Sequence, residues 1–541
     1  MHRRTALSWP AAAVATFIAI PILGLLLSVL IADAGARDVL SHLAGTVLPA
    51  YVATSLLLMV CVGAGAAVVG IATAWVVAAY DFPGRRIYEW ALILPLAMPT
   101  YVMAYAFTDF FQFSGPVQTL LRELTGQPRL PWFPAIRSWY GAALVFTFAF
   151  YPYVYLLART AFLERSPRLS EAARTLGCGP TRAFFTVVLP LARPAAVAGV
   201  TLVLMETLAD YGAVSYFGVQ TFTTGIYRAW LAMGDRIAAA QLASALLAFI
   251  FVLVWLERRS RTRLRFHAGA HRHAPAPRRL KGQGVAWAHL ACLLPLTLGF
   301  LLPVAIMLRF AAQDLHVINW ERYAAWLANT LQLAAVTSAL AVALALALAY
   351  AARLTSGRLV HFTNSVASMG YAVPGAVLAV GLLIVVGALD RWLEALGGSW
   401  GATLTGTLTL LVYAYLVRFL AVALQTAEAG LAKITPALDA SARSLGATTW
   451  ELLARVHQPL LRRSLLTAAL LVFVDVMKEL PATLVLRPFN FDTLAVITDQ
   501  LASDERLGEA AVPALTIVLA GLLPVIVLAR AISRKDRLTK S

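Results

Sequence analysis

Four carboxylates stand where a chain this apolar can least accommodate them. Glu206 and Asp210 lie in one long hydrophobic run and Asp475 and Glu479 in another, each pair four residues apart, which puts both groups on one helix face. A charged oxygen at membrane depth is costly unless it faces water, protein or a cation, so such groups line an ion route or lock helices together. As hard oxygen donors they suit a multivalent metal ion in passage, with Tyr211 as a further oxygen beside Asp210. Lys478 and Arg418 are the cations at hand for the structural alternative. No fixed metal site is expected. Cys61, Cys178 and Cys292 have no metal-type spacing, and His267, His271 and His273 sit in a basic stretch without carboxylate or thiol partners.

A second constellation is a doubled amphipathic segment. SPRLSEAARTLGCGPTRAFFTVVLP, residues 166–190, recurs as TPALDASARSLGATTWELLARVHQP, residues 435–459. In each copy a hydroxyl residue before proline (Ser166-Pro167, Thr435-Pro436) predicts a helix start, and Gly177 or Gly446 predicts its left-handed end. A second helix then opens, at Pro180 in one copy and at a Thr448/Glu451 capping box in the other. Leu169, Ala172, Ala173 and Leu176 have i, i+3, i+4, i+7 spacing, a narrow stripe of mostly small side chains that lets a partner approach closely.

The elements that carry these groups follow from composition. With 60% hydrophobic and 13% charged residues and a mean hydropathy of +0.75, the chain reads as an all-α integral membrane protein. About twelve spans are predicted, near 11–32, 50–79, 89–112, 139–160, 194–216, 237–256, 285–309, 326–352, 362–386, 403–426, 464–486 and 511–531. The first is too long for the core of a cleavable signal peptide and reads as an uncleaved span. Lys and Arg collect in alternate segments, which places both termini and both repeated loops in the cytoplasm. The net charge of +17 is thereby assigned to orientation and lipid headgroups, and no nucleic-acid partner is expected.

The apolar pattern stops at 257–284, a basic cytosolic linker dividing a first half, 1–256, from a second, 285–541. The halves match in register. ATSL at 53–56 answers ANTL at 328–331 and Pro99 answers Pro374 at an offset of 275, which becomes 269 from Ser166/Thr435 through Thr224/Thr493. Six spans per half make these parallel repeats, related by rotation about the membrane normal.

These motifs resemble a fused, two-half permease subunit of a bacterial binding-protein-dependent ABC importer. The likeness rests on Glu171-Ala172-Ala173, Gly177 six residues after the Glu, and the Val187-Val188-Leu189-Pro190 ending, and it covers nearly the whole chain. METLADYGAVSYFGVQTFTTGIYRAW (205–230) and KELPATLVLRPFNFDTLAV (478–496) resemble the ferric-iron branch. The resemblance implies the type I importer transmembrane fold in the bacterial inner membrane. It also implies a cytosolic ATPase dimer that holds ATP and magnesium, and a periplasmic substrate-binding protein, with no cofactor on this chain. The coupling positions it implies are Glu171, Ala172, Ala173, Gly177 and Pro190, then Asp439, Ala440, Ala442, Gly446 and Pro459; Ala440 stands where the family has Glu, with Asp439 one residue earlier. The chain has no GxxxxGK[ST] phosphate loop, in keeping with a separate ATPase. Thiamine or another small solute is the alternative cargo. A proton-coupled carrier could use the four carboxylates but has no use for a doubled loop.

Overall fold

Long apolar runs fold as helices because a helix satisfies its own backbone N–H and C=O groups, as a segment in hydrocarbon must. The structure, a computed structural model, describes residues 8–30, 34–164, 175, 177–262, 277–355, 358–396 and 404–538. Among them ten helices are long and apolar enough to cross a membrane, or eleven if Arg85–Ala97 and Thr100–Thr125, bent by 94°, form one broken span. The strands among these residues are two-residue pieces, Tyr80–Asp81 and Arg278–Arg279, paired in parallel. The protein is an all-α membrane protein.

The count falls short of the predicted twelve at the eleventh span, expected over 464–486. The helix there is Gln458–Met477, and Arg462, Arg463 and Asp475 keep it out of the strongly apolar set. The fifth, expected over 194–216, instead covers Thr181–Ala209. Both helices stop before their apolar runs do. Each is followed by a break and then a short helix, Gly212–Tyr216 in one half and Pro481–Leu486 in the other.

The repeat is visible element by element. Leu48–Ala79 and Trp320–Leu354 end 275 residues apart, and Trp139–Glu164 and Leu408–Leu431 begin 269 apart, so the six-residue step falls in the connection between them. The residues leading into Pro190 and Pro459 are wound as π turns, Phe184–Val188 and Leu452–His457. Proline offers no N–H and its ring crowds the carbonyl four residues back, and a widened turn relieves both.

Contacts divide the chain into two compact units. Residues 1–42, 226–247 and 319–497 form one, and 43–225, 248–318 and 498–541 the other, so each draws on both sequence halves. In the first unit Trp320–Leu354, Leu408–Leu431 and Gln458–Met477 pack on one another, and Ser8–Leu30 packs against Gly375–Ala395. That last seam is close because it is built on glycine: a Cβ at Gly24 would lie 2.0 Å from Val385 Cγ2, and one at Gly381 2.5 Å from the Pro21 oxygen. In the second unit the equivalent trio, Leu48–Ala79, Trp139–Glu164 and Leu189–Ala209, packs the same way.

One glycine carries a sharp test. A Cβ on Gly370 would stand 2.0 Å from the Val417 carbonyl oxygen, whereas nothing lies within 4 Å of one on Gly45. Gly370→Ala is expected to lower the melting temperature of the detergent-purified protein by the equivalent of about 1–3 kcal/mol, while Gly45→Ala leaves it in place.

Candidate functional site

The two helix breaks organise the polar groups. After Ala209 the chain turns extended at Asp210 (φ −68°, ψ 140°), and the first N–H groups of the next short helix need acceptors. Asp210 Oδ1 accepts from Ala213 N at 3.0 Å and Val214 N at 3.3 Å, and Oδ2 accepts a short hydrogen bond from the Thr100 hydroxyl. Glu479 does the same at the equivalent break. Its Oε1 accepts from Ala482 N at 3.0 Å, and its Oε2 from Thr483 N at 3.1 Å and the Thr483 hydroxyl at 2.7 Å.

The halves part company on the far side of each carboxylate. Thr100 has Gly375 as its counterpart, and into the space a side chain would fill comes Arg418, Nη1 at 3.3 Å from Glu479 Oε1. A Cβ on Gly375 would lie 2.6 Å from that oxygen and 2.8 Å from Arg418 Nη1. Asp475 pairs with Lys478 at 2.8 Å. Both second-half carboxylates thus take the cation partners the sequence offered. In the first half Glu206 lies half-buried one turn before Asp210, and Tyr211 half-buried beside it. Among the described residues Asp210 has no cationic partner.

Sequence reasoning missed Asp499. It sits in the apolar helix Leu494–Ser503, and its Oδ1 accepts from the buried Tyr105 hydroxyl at 2.7 Å. Tyr105 in turn meets Tyr216 edge-on, ring centroids 4.5 Å apart. Tyr216 also lines a cavity of about 550 Å³ in the same compact unit, whose walls carry Asp109, Asp314, Glu505 and Glu509 against Arg137 and Arg506. Arg506 is already held by Glu509 at 2.7 and 2.8 Å. A single carboxylate inside LAVITDQLAS was the available signal, but it has no partner four residues away to draw the eye.

The doubled loop is described in full only in its second copy. Glu171, Ala172 and Ala173, with Ser166, Pro167, Leu169, Arg174 and Leu176, lie outside the described residues; so do His267, His271 and His273. Gly177 has φ +78° and a helix opens at Pro180. In the second copy Pro436–Ser444 is helical and Gly446, at φ +84°, ends it, with Ala447 N bonded to the Ala442 carbonyl at 3.1 Å. The capping box closes as expected, Glu451 N on Thr448 Oγ1 at 3.2 Å and Thr448 N on Glu451 Oε2 at 2.9 Å. Thr435 holds the N-cap position, but its side chain makes no capping bond; the Leu438 N–H goes to the Thr435 carbonyl instead, at 3.1 Å. Leu445 is 88% exposed and Trp450 73%, an apolar tip that no other described residue covers. Ala440 is exposed, Ala442 half-buried, and Pro190 and Pro459 both lie on the surface.

A family described as the inner membrane component of binding-protein-dependent transport systems matches this chain twice, over residues 66–266 and 341–537, more than half its length and one match per repeat. The chain belongs to that family. The permease is 25% identical over 493 residues to the Fe(3+)-transport system permease protein FbpB 2 of Haemophilus influenzae, covering 88% of each chain. A putative ferric transport system permease, FbpB 1 of the same organism, is 24% identical over 73% of this chain and 63% of its own. The molybdenum transport system permease ModB of Escherichia coli is 32% identical over 35% of this permease and 85% of itself.

The second copy has Ala440 where the first has Glu171, and the acid beside it is Asp439. Asp439 turns back to its own chain, with Oδ2 2.9 Å from Arg353 Nε and Oδ1 2.9 Å from Arg353 Nη2. Arg353 above all, with His457 adding to it and partial burial opposing, holds the Asp439 carboxyl below the usual carboxylate range. A depressed carboxylate adds stability above its unfolded value, about 3.9, and loses it as pH falls through the lower folded one. From roughly pH 5 to 8 this pair stays ionised, and no pH dependence of transport in that window comes from it.

Arg418 and Glu479 allow a second test. Removing one member of a buried pair strands the other, so Arg418→Met is expected to lower stability by about 3–5 kcal/mol. Adding Glu479→Gln should return part of that loss in a chemical or thermal melt, since Gln keeps one acceptor oxygen for the cap and leaves no buried charge unpaired.

Proposed function

We propose that this permease carries ferric iron inward across the bacterial inner membrane, by alternating access driven by a separate ATPase dimer. The sign of its intramembrane oxygens carries the reading. In the unit formed by residues 43–225, 248–318 and 498–541, Asp210 and Asp499 have no cationic partner among the described residues, and Tyr105 and Tyr211 stand beside them. The second half has Val380 and Leu480 at those tyrosine positions, so the repeat itself does not require the phenols. Carboxylate and phenol oxygens are hard donors that suit a small, highly charged cation and repel an oxyanion. The relatives whose names include ferric iron are two-half matches, which supports the same cargo.

ATP and magnesium belong to the partner, which grips the doubled loop on the cytoplasmic side. The bare Leu445 and Trp450 suit that contact. Glu171, Ala172, Ala173 and Gly177 serve the first copy, and Ala440, Ala442 and Gly446 the second. A periplasmic protein delivers the cargo, both termini lie in the cytoplasm, and the working halves are 1–256 and 285–541 with 257–284 between them. Glu206 and Asp475 line the route one turn before each break, and Glu479 shapes the route by holding its break.

Uptake of labelled ferric iron by vesicles holding this permease, its ATPase and its binding protein is expected to require ATP. Asp210→Asn and Asp499→Asn each lower it by roughly tenfold or more in complexes that still assemble, a loss of about 1.4 kcal/mol in transition-state terms. Wild-type rates in both variants would remove the two residues from the route. Uptake of molybdate or thiamine in place of iron overturns the cargo, and uptake without the ATPase overturns the drive.

A further inference from the structure

All three core helices of one compact unit meet at a single ion pair beside the second loop. Arg353 is in the last turn of Trp320–Leu354, and beyond its two bonds to Asp439 it gives Nη1 to the Leu431 carbonyl at 2.8 Å and Nη2 to the Ile434 carbonyl at 2.9 Å. Leu431 is the final residue of Leu408–Leu431, whose end carbonyls have no partners of their own helix. His457, the last residue before Gln458–Met477, is completely buried and places Nε2 2.9 Å from Asp439 Oδ1. A carboxylate brings no proton, so Nε2 carries it and His457 is the donor. One turn back from Arg353, the Tyr350 hydroxyl donates to the Thr449 carbonyl at 3.2 Å, and its ring meets His457 edge-on at 5.5 Å.

We propose that Arg353, Asp439 and His457 are the linkage that passes movement of Pro436–Ser444 to its three membrane helices, so that loop and helices travel as one body. This rests on the reading of the loop as the ATPase's point of grip. The helix Pro436–Ser444 cannot shift against Trp320–Leu354 without breaking a bidentate, charge-assisted contact, the strongest kind available to these side chains. The first half cannot copy the device, since Ala78, Ser170 and Val188 stand at the corresponding positions. The linkage is therefore one-sided. It also accounts for Asp439 and Ala440 together: the acid of this copy works inward on its own chain, and the sequence has Ala440 where the first copy has Glu171. Arg353, Asp439 and His457 are positioning residues that touch no cargo.

The test uses the assembled complex of permease, ATPase and binding protein. Asp439→Asn, isolated with both ATPase copies bound, is expected to hydrolyse ATP at close to the wild-type rate while iron moved per ATP falls by roughly tenfold or more; Asp439→Glu, which keeps the charge, recovers most of the ratio. Hydrolysis and transport falling in proportion, or a wild-type ratio in both Asp439→Asn and Arg353→Met, overturns the linkage. A second measurement needs no variant of the three residues. In a chain whose three cysteines are replaced by serine, spin labels at position 320 and position 444 report the distance between the far end of Trp320–Leu354 and the loop helix. That helix is about 50 Å long, within range of pulsed dipolar spectroscopy. The distance is expected to stay constant between nucleotide-free and ATP-trapped complexes, and a change larger than about one helical residue's rise, 1.5 Å, overturns the proposal. A wild-type chain that binds no ATPase refutes the grip itself, and that result is seen before any variant is made.

Discussion

A helix that stops inside an apolar layer leaves N–H groups with no water to turn to, and the fold answers that constraint twice with a carboxylate. Asp210 and Glu479 each accept two backbone N–H bonds from the short helix that follows. Each unsatisfied group would cost several kcal/mol there, so the breaks exist only because the acids do. The rest of the polar interior is arranged around those acids, and the two halves manage the leftover charge differently. One supplies the Thr100 hydroxyl; the other supplies Arg418 and makes room for it by having glycine at 375.

That difference gives each unit its character. Glu479 is buried, with Arg418 beside it. Asp210 is bonded to a hydroxyl and has no cationic partner among the described residues, and Asp499 with Tyr105 adds a second such oxygen within the same unit. At the two helix breaks the repeats thus treat equivalent acids differently, one pairing Glu479 with Arg418 and the other setting Asp210 on the Thr100 hydroxyl. The basic-side ends show the same division of labour. Arg353 gathers four acceptor atoms in one half, while in the other Arg85 and Arg159 converge on Glu89 at 3.2 and 3.5 Å.

Much of this was legible in the residues because it is periodic. The doubled loop, the span pattern and the paired carboxylates repeat at fixed offsets, and repetition survives without knowledge of contacts. What was hidden depends on sequence-distant partners. Arg353 lies 86 residues from Asp439 and Tyr105 lies 394 from Asp499, and no local pattern announces either meeting. The predicted ends of the fifth and eleventh spans overran for a related reason: hydropathy continues through Asp210 and Glu479, but the backbone does not, since each acid satisfies the helix after it better than the one before. Asp499 was passed over because it is solitary, whereas its four fellows came in matched pairs.

The exchange of segments between the compact units bears on how such a chain is made. The unit holding residues 43–225 also needs 498–541, so it stays open along the Leu507–Leu538 position until the second repeat has been made. Its partner begins with residues 1–42 and waits for 319–497. Neither body can close while the ribosome is still on the first repeat, and early helices must be held in the bilayer, unmated, by the insertion machinery or by lipid alone.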